Sequence, residues 1–123
     1  MNIRVMISED ELKTRIAELG AQISRDYEGK TVHLICILKG SVFFTCELAK
    51  HIQPTVTMDF LSVSSYGNAQ ESSGRVRIVK DLDEHIEDKD VLVIEDIIDS
   101  GRTLEYLMDM LQVRKPKSIK LCT

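Results

Sequence analysis

The chain has 123 residues, 43% of them hydrophobic and 29% charged, with a formal net charge of −4. That length suits one domain, and the acidic balance argues against nucleic acid as a partner, because nucleic-acid binders carry a basic stripe. Three cysteines, Cys36, Cys46 and Cys122, are an odd number without CxxC spacing, which suggests neither a disulfide framework nor a zinc site and suits a cytoplasmic protein. No run approaches the roughly 18 apolar residues of a membrane span.

Ser8 and Glu11 have capping-box spacing, with Ile7 and Leu12 placed as its hydrophobic staple. Leu12, Ile16, Leu19 and Ile23 then recur at helical spacing, and Gly29 is the expected stop. Val32-His33-Leu34-Ile35-Cys36-Ile37-Leu38 reads as a central strand, followed by a turn at Lys39-Gly40-Ser41 and a helix through His51. Pro54 breaks that helix, after which Val56, Met58 and Phe60 alternate with polar neighbours as in a strand. Residues 64–74 are mostly small and polar and read as a mobile loop; residues 75–80 read as a returning strand, and 83–90 as a solvated acidic turn. Val91-Leu92-Val93-Ile94 is a strand buried on both faces, Leu104, Leu107, Met108 and Leu111 mark a helix that stops before Pro116, and residues 119–122 form a last strand. Strands alternating with helices predict an α/β fold, a mainly parallel twisted sheet flanked by helices, with ligands beyond the carboxyl ends of the strands.

The densest chemistry follows the strand at 91–94. Glu95 and Asp96 are adjacent acids that are costly to bury without partners, so they face a cleft. Asp99 follows, and Ser100-Gly101-Arg102-Thr103 adds two hydroxyls, a glycine and a guanidinium where a helix begins. Unpaired amides and the positive end of the helix dipole make that turn an anion site. Lys39-Gly40 follows another buried strand, so two βα turns converge on one ligand. Neither G-x-x-x-x-G-K-[ST] nor G-x-G-x-x-G occurs, which removes the usual triphosphatase and dinucleotide mechanisms. A receiver-type signalling domain would carry its paired acids after the first strand, not near residue 95. His33, His51 and His85 lack ligand spacing and read as structural or solvated, and the cysteines read as core fillers.

The stretch from Val93 to Thr103 resembles the phosphoribosyl-pyrophosphate signature of type I phosphoribosyltransferases. Together with Leu38-Lys39-Gly40, Met58-Asp59-Phe60, Ser64-Ser65-Tyr66-Gly67, Ser73-Gly74 and Lys80-Asp81-Leu82-Asp83, it is similar to the hypoxanthine (hypoxanthine-guanine) phosphoribosyltransferases of bacterial type. The resemblance implies one phosphoribosyltransferase domain over residues 1–123, with 64–74 as a mobile lid. It implies a Mg²⁺-dependent purine salvage transferase that joins a 6-oxopurine to phosphoribosyl pyrophosphate and releases pyrophosphate. Glu95 and Asp96 would hold the ribose hydroxyls and magnesium, and Ser100, Gly101, Arg102 and Thr103 the 5-phosphate. Asp99 would be the proton partner at the purine N7. Lys39 and Gly40 would meet the pyrophosphate through an unusual peptide geometry, and Ser65 and Tyr66 would close over the reacting centre. The family also implies a homo-oligomer, dimer or tetramer, without nucleic acid or membrane.

Family members continue past the position of Thr123 with a segment that binds the purine, and none of its residues maps here. The expectation is therefore a phosphate-and-ribose half, with an exposed sheet edge near residues 119–121 and self-association or reduced stability as its consequence. The alternative is a non-catalytic phosphoribosyl-pyrophosphate sensor, which would need neither the lid nor Asp99.

Overall fold

A computed structural model describes residues 8–65, 76–95 and 101–122, with backbone alone at 65, 76 and 101–103. Its elements are α1 (Glu9–Asp26), β1 (Thr31–Ile37), α2 (Val42–Ala49), β2 (Thr55–Ser65), β3 (Val76–Lys80), β4 (Asp90–Ile94), α3 (Gly101–Gln112) and β5 (Ser118–Cys122).

Helix α1 begins where the capping spacing places it. The Ser8 hydroxyl accepts the Glu11 N–H at 3.1 Å, and Glu9, Asp10 and Glu11 set negative charge against the positive end of the helix dipole. Ile16 and Ile23 are buried, whereas Leu12 is half exposed, so the apolar stripe starts a turn later than the spacing suggests. The staple partner Ile7 lies outside the described residues. Past the helix end the chain reverses at Gly29, whose φ of 78° is the left-handed conformation that glycine adopts without steric cost. Helix α2 is shorter than expected, ending at Ala49 rather than His51.

The five strands run β3-β2-β1-β4-β5, with β1 in the centre. The β1–β2, β1–β4 and β4–β5 pairs are parallel, and only β3 is antiparallel to its neighbour β2. Strand β1 is buried from Val32 to Ile37, as an apolar run covered on both faces must be. Its even positions, Val32 and Leu34, pack with Ile16 and Ile23 of α1 and Leu48 of α2. Its odd positions, Ile35 and Ile37, pack with Leu107 and Leu111 of α3, and Val91 and Val93 of β4 share that face. The alternation of a single strand thus divides the core into two layers.

Two expectations need correction. Ser64 and Ser65 belong to β2, not to the loop at 64–74, because Ser64 pairs with Arg77 and Ser65 with Val76 across the antiparallel ladder. The remainder of that loop falls outside the described residues. Cys36 and Cys122 are buried as core fillers, but Cys46 is exposed on α2, on the helix face turned from the sheet. Among the described residues no helix is long and apolar enough to cross a membrane.

Candidate functional site

The order of the strands places the site. From β1 the chain crosses through α2 to β2 on one side, and from β4 through α3 to β5 on the other, so the crossovers diverge between β1 and β4. A crevice opens beyond the carboxyl ends of the strands at such a switch point. Ile37 of β1 pairs with Leu61, and Cys36 lies level with Ile94, so the turns that follow β1 and β4 leave the sheet side by side.

In the first of these turns Lys39 and Gly40 are exposed, and the Leu38–Lys39 peptide bond is cis. Lys39 makes no ion pair among the described residues, so its ammonium is available to an anion. The turn is fastened on both sides. Leu38 N–H donates to Leu61 O at 2.9 Å, and Val42 N–H donates to Lys39 O at 3.3 Å. Ser41, fully buried at the start of α2, does not cap that helix with its side chain; its hydroxyl instead donates back to Ile37 O and lies 3.4 Å from Cys36 Sγ. Ser41 O in turn accepts both the N–H and the hydroxyl of Thr45, at 2.8 and 2.7 Å. Ser41 escaped sequence reading, since a serine before a helix reads as an ordinary cap.

The second turn begins with Glu95, half-buried at the end of β4, whose N–H donates to Cys122 O at 3.0 Å. Strand β5 therefore holds the residue from which the acidic turn departs. Asp96, Asp99 and Ser100, like Tyr66, lie outside the described residues. Gly101, Arg102 and Thr103 form the first turn of the twelve-residue helix α3, where backbone N–H groups have no partner within the helix. The structure thus brings Lys39, Gly40, Glu95 and the start of α3 to one edge of the sheet. Among the described residues no three His, Cys, Asp or Glu side chains gather as a metal site. Glu95 supplies one hard oxygen donor with a second acid next to it in sequence, a set that suits Mg²⁺, which keeps most of its waters and takes one or two carboxylates.

A second group of residues sets the frame around the crevice. Asp59 in β2 is 2% exposed, and its carboxylate accepts the N–H groups of Phe60, Asp83 and Glu84 at 2.8, 2.9 and 3.0 Å. Burial pushes this carboxyl up, but those three bonds and the charge of Lys80 together hold it below the usual carboxylate value. Lys80 Nζ bonds Phe60 O, Asp81 O and Asp83 Oδ1. Arg114, just past α3, makes a two-pronged pair with Asp81 at 2.8 and 3.2 Å, which depresses the Asp81 carboxyl as well. The acidic segment read as a solvated turn is thereby fastened to the sheet at Asp83 and Glu84, and Asp81 just before it is tied to the chain past α3.

A family model for the phosphoribosyl transferase domain matches residues 8–123. The chain is 51% identical over 120 residues to the hypoxanthine-guanine phosphoribosyltransferase of Streptococcus thermophilus, covering 98% of this chain and 67% of that protein. It is 52% identical over 120 residues to the bifunctional protein TilS/HprT of Listeria monocytogenes, of whose length it spans only 18%. A crystal structure of a hypoxanthine-guanine phosphoribosyltransferase from Bacillus anthracis superimposes with a TM-score of 0.93 at 48% identity, covering all of this chain and 73% of that one. The mainly parallel sheet, the crevice between β1 and β4 and these likenesses agree, and the chain belongs to the phosphoribosyl transferase domain family, among relatives that are hypoxanthine-guanine phosphoribosyltransferases.

Proposed function

We propose that the protein is a purine salvage transferase that joins hypoxanthine or guanine to phosphoribosyl pyrophosphate, giving the nucleoside monophosphate and pyrophosphate. The observation that carries this reading is the meeting of the Lys39-Gly40 turn and the Glu95 turn at the switch point of the sheet, in a chain 51% identical to a hypoxanthine-guanine phosphoribosyltransferase. The comparisons do not favour a sensor, since the relatives carry the names of enzymes.

In this reading the 5-phosphate sits on the first turn of α3, where unpaired amides and the helix dipole meet it, with Ser100, Gly101, Arg102 and Thr103 around it. Glu95 and Asp96 hold the ribose hydroxyls and Mg²⁺. When bound, the metal neutralises charge that builds on the departing pyrophosphate. Lys39 and the backbone at Gly40 take the other side of that leaving group. As the bond from the anomeric carbon to pyrophosphate lengthens, the sugar gains positive charge, which the carboxylates beside it stabilise. Asp99 accepts the proton from the purine N7 as the new bond to N9 forms, and Ser65 and Tyr66 exclude water that would otherwise hydrolyse the cation. Assembly as a dimer or tetramer in the cytoplasm completes the proposal.

The test is to incubate this chain with Mg²⁺, phosphoribosyl pyrophosphate and hypoxanthine and to measure inosine monophosphate. Product at a rate that depends on Glu95 and Asp99 supports the reading. A folded chain that binds phosphoribosyl pyrophosphate without forming product reduces it to the phosphate-and-ribose half of such an enzyme.

A further inference from the structure

The far edge of the sheet carries a second cleft. The residues that precede β1, β4 and β5 enclose a space of about 440 Å³ at the amino ends of the parallel strands, away from the turns that follow β1 and β4. Its walls are built rather than incidental. Lys89 O accepts the N–H groups of Lys117 and Ser118 at 2.8 and 3.3 Å, and Asp88 N–H donates to Lys115 O at 3.1 Å. Asp88 and Lys115 both hold left-handed backbone, at φ 61° and 58°, which few non-glycine residues adopt outside a fixed turn.

Three lysines stand in the cleft beside two acids, Asp88 and Asp90. Lys30, Lys89 and Lys117 all line the cleft. Lys89 is 3.0 Å from Glu84, whereas Lys30 and Lys117 have no ion-pair partner among the described residues. Of the two acids present, Asp90 already accepts the Ser118 hydroxyl at 2.7 Å, and Asp88 faces solvent. The inner wall is His33, 1% exposed, whose Nδ1 lies 2.6 Å from the Thr57 hydroxyl. Its other nitrogen, Nε2, is buried without a hydrogen-bond partner. An imidazole with one unpaired nitrogen beneath a lysine-lined cleft is uncommon in a finished core, where buried polar atoms find partners.

We propose that this cleft is a second ligand site, which takes the phosphate group of a small phosphorylated molecule between Lys30 and Lys117, over the Thr57 hydroxyl and the His33 ring. Two unpaired ammonium groups match the donors a phosphate needs, and the Thr57 hydroxyl adds a third when the His33 proton sits on Nδ1 and is donated to it. The acids at the rim suit the hydroxyls of the molecule that carries it. Burial and then Lys89 hold the His33 ring below the ordinary histidine value, against the opposing charges of Asp59 and Glu84, so the ring is neutral at pH 7. A bound dianion reverses part of that shift. The site is independent of the proposed transfer reaction, since it lies at the other end of the strands.

The experiment is an NMR titration of this chain with inorganic phosphate at pH 7, following the backbone amides and the His33 ring. The expected result is a saturable shift at His33, Thr57 and Lys117, with the His33 pKa raised at saturation. Lys30→Gln with Lys117→Gln weakens that affinity by about tenfold while the dispersion of the amide spectrum is unchanged. Glu84→Gln frees Lys89 and tightens it. Shifts confined to residues 101–104 place phosphate at the reaction site alone and overturn the proposal. So does a linear, non-saturating response, or an affinity that the double substitution leaves unchanged.

Discussion

The carboxylate of Asp59 accepts the backbone N–H of Asp83 at 2.9 Å, so an acid buried in β2 holds the segment that leads from β3 to β4. The same oxygen takes the Glu84 N–H at 3.0 Å, and the other takes that of Phe60. One buried charge thus satisfies three backbone donors.

Replacing Asp59 with Asn removes the charge and sets an amide N–H₂ against donors. The expected loss is about 2–3 kcal/mol at neutral pH, read from urea unfolding. Because the folded-state pKa is depressed, the contribution of Asp59 is fully present above the unfolded value of about 3.9 and disappears as pH falls through the folded one. The gap between the two proteins should therefore close on acidification below about pH 4. A constant gap across that range would show that the charge of Asp59 is not what stabilises the turn.

Gly20 lies where α1 crosses the turn that follows α2. A Cβ there would stand 2.3 Å from His51 Cβ and 2.8 Å from His51 O, and this contact is backbone against side-chain root, with little room to give. Ser24 fixes the same crossing by donating to Gly20 O at 2.7 Å and accepting the Gln53 N–H at 2.9 Å. Gly20→Ala gains helix propensity, yet the clash should outweigh it and destabilise the fold by about 1–3 kcal/mol in chemical denaturation.

His33 gives a pH dependence of the same sign as Asp59 but in a higher window. Its folded-state pKa is lowered by burial and by Lys89, so stability is full above the unfolded value of about 6.5 and falls as pH drops through the folded value. His33→Leu removes the orphaned nitrogen together with the bond to Thr57. Unfolding free energy measured from about pH 7 down to 5 should decline less in His33→Leu than in the parent chain. Parallel curves would mean that His33 takes up its proton at the same pH in the folded and the unfolded chain, so that burial does not shift it.

Asp99→Asn tests the proposed chemistry. The substitution should leave phosphoribosyl pyrophosphate binding near its parent value, measured by calorimetry, and lower turnover by about 10²–10⁴-fold, the range of a lost general base. Equal losses of binding and turnover would make Asp99 part of the binding site alone.

Much of this molecule is legible in its sequence. The apolar run at 91–94 and the mostly apolar run at 32–38 specify parallel strands because only a strand covered on both faces tolerates such continuity, and β1 and β4 are neighbours in the sheet. Ser8 and Glu11 announced the start of α1 through a local hydrogen bond that needs no distant partner. The acids at 95, 96 and 99 and the Ser-Gly-Arg-Thr turn were visible for the same reason, since their spacing along the chain carries their chemistry.

What the tertiary structure alone decided is held by contacts between residues far apart in the chain. The polar end of β2 pairs with β3, so Ser64 and Ser65 are strand despite a loop-like composition, because ladder hydrogen bonds outweigh local propensity. Asp59, an isolated acid in an alternating strand, gains its role only from Asp83 and Glu84, some two dozen residues away. Ser41 turns its hydroxyl back to Ile37 rather than to the helix it precedes, and His33 meets Thr57 only because β1 and β2 lie in register. Periodicity and local spacing report which face of an element is apolar and where it starts; partners across the sheet depend on register and burial, which the order of residues does not display.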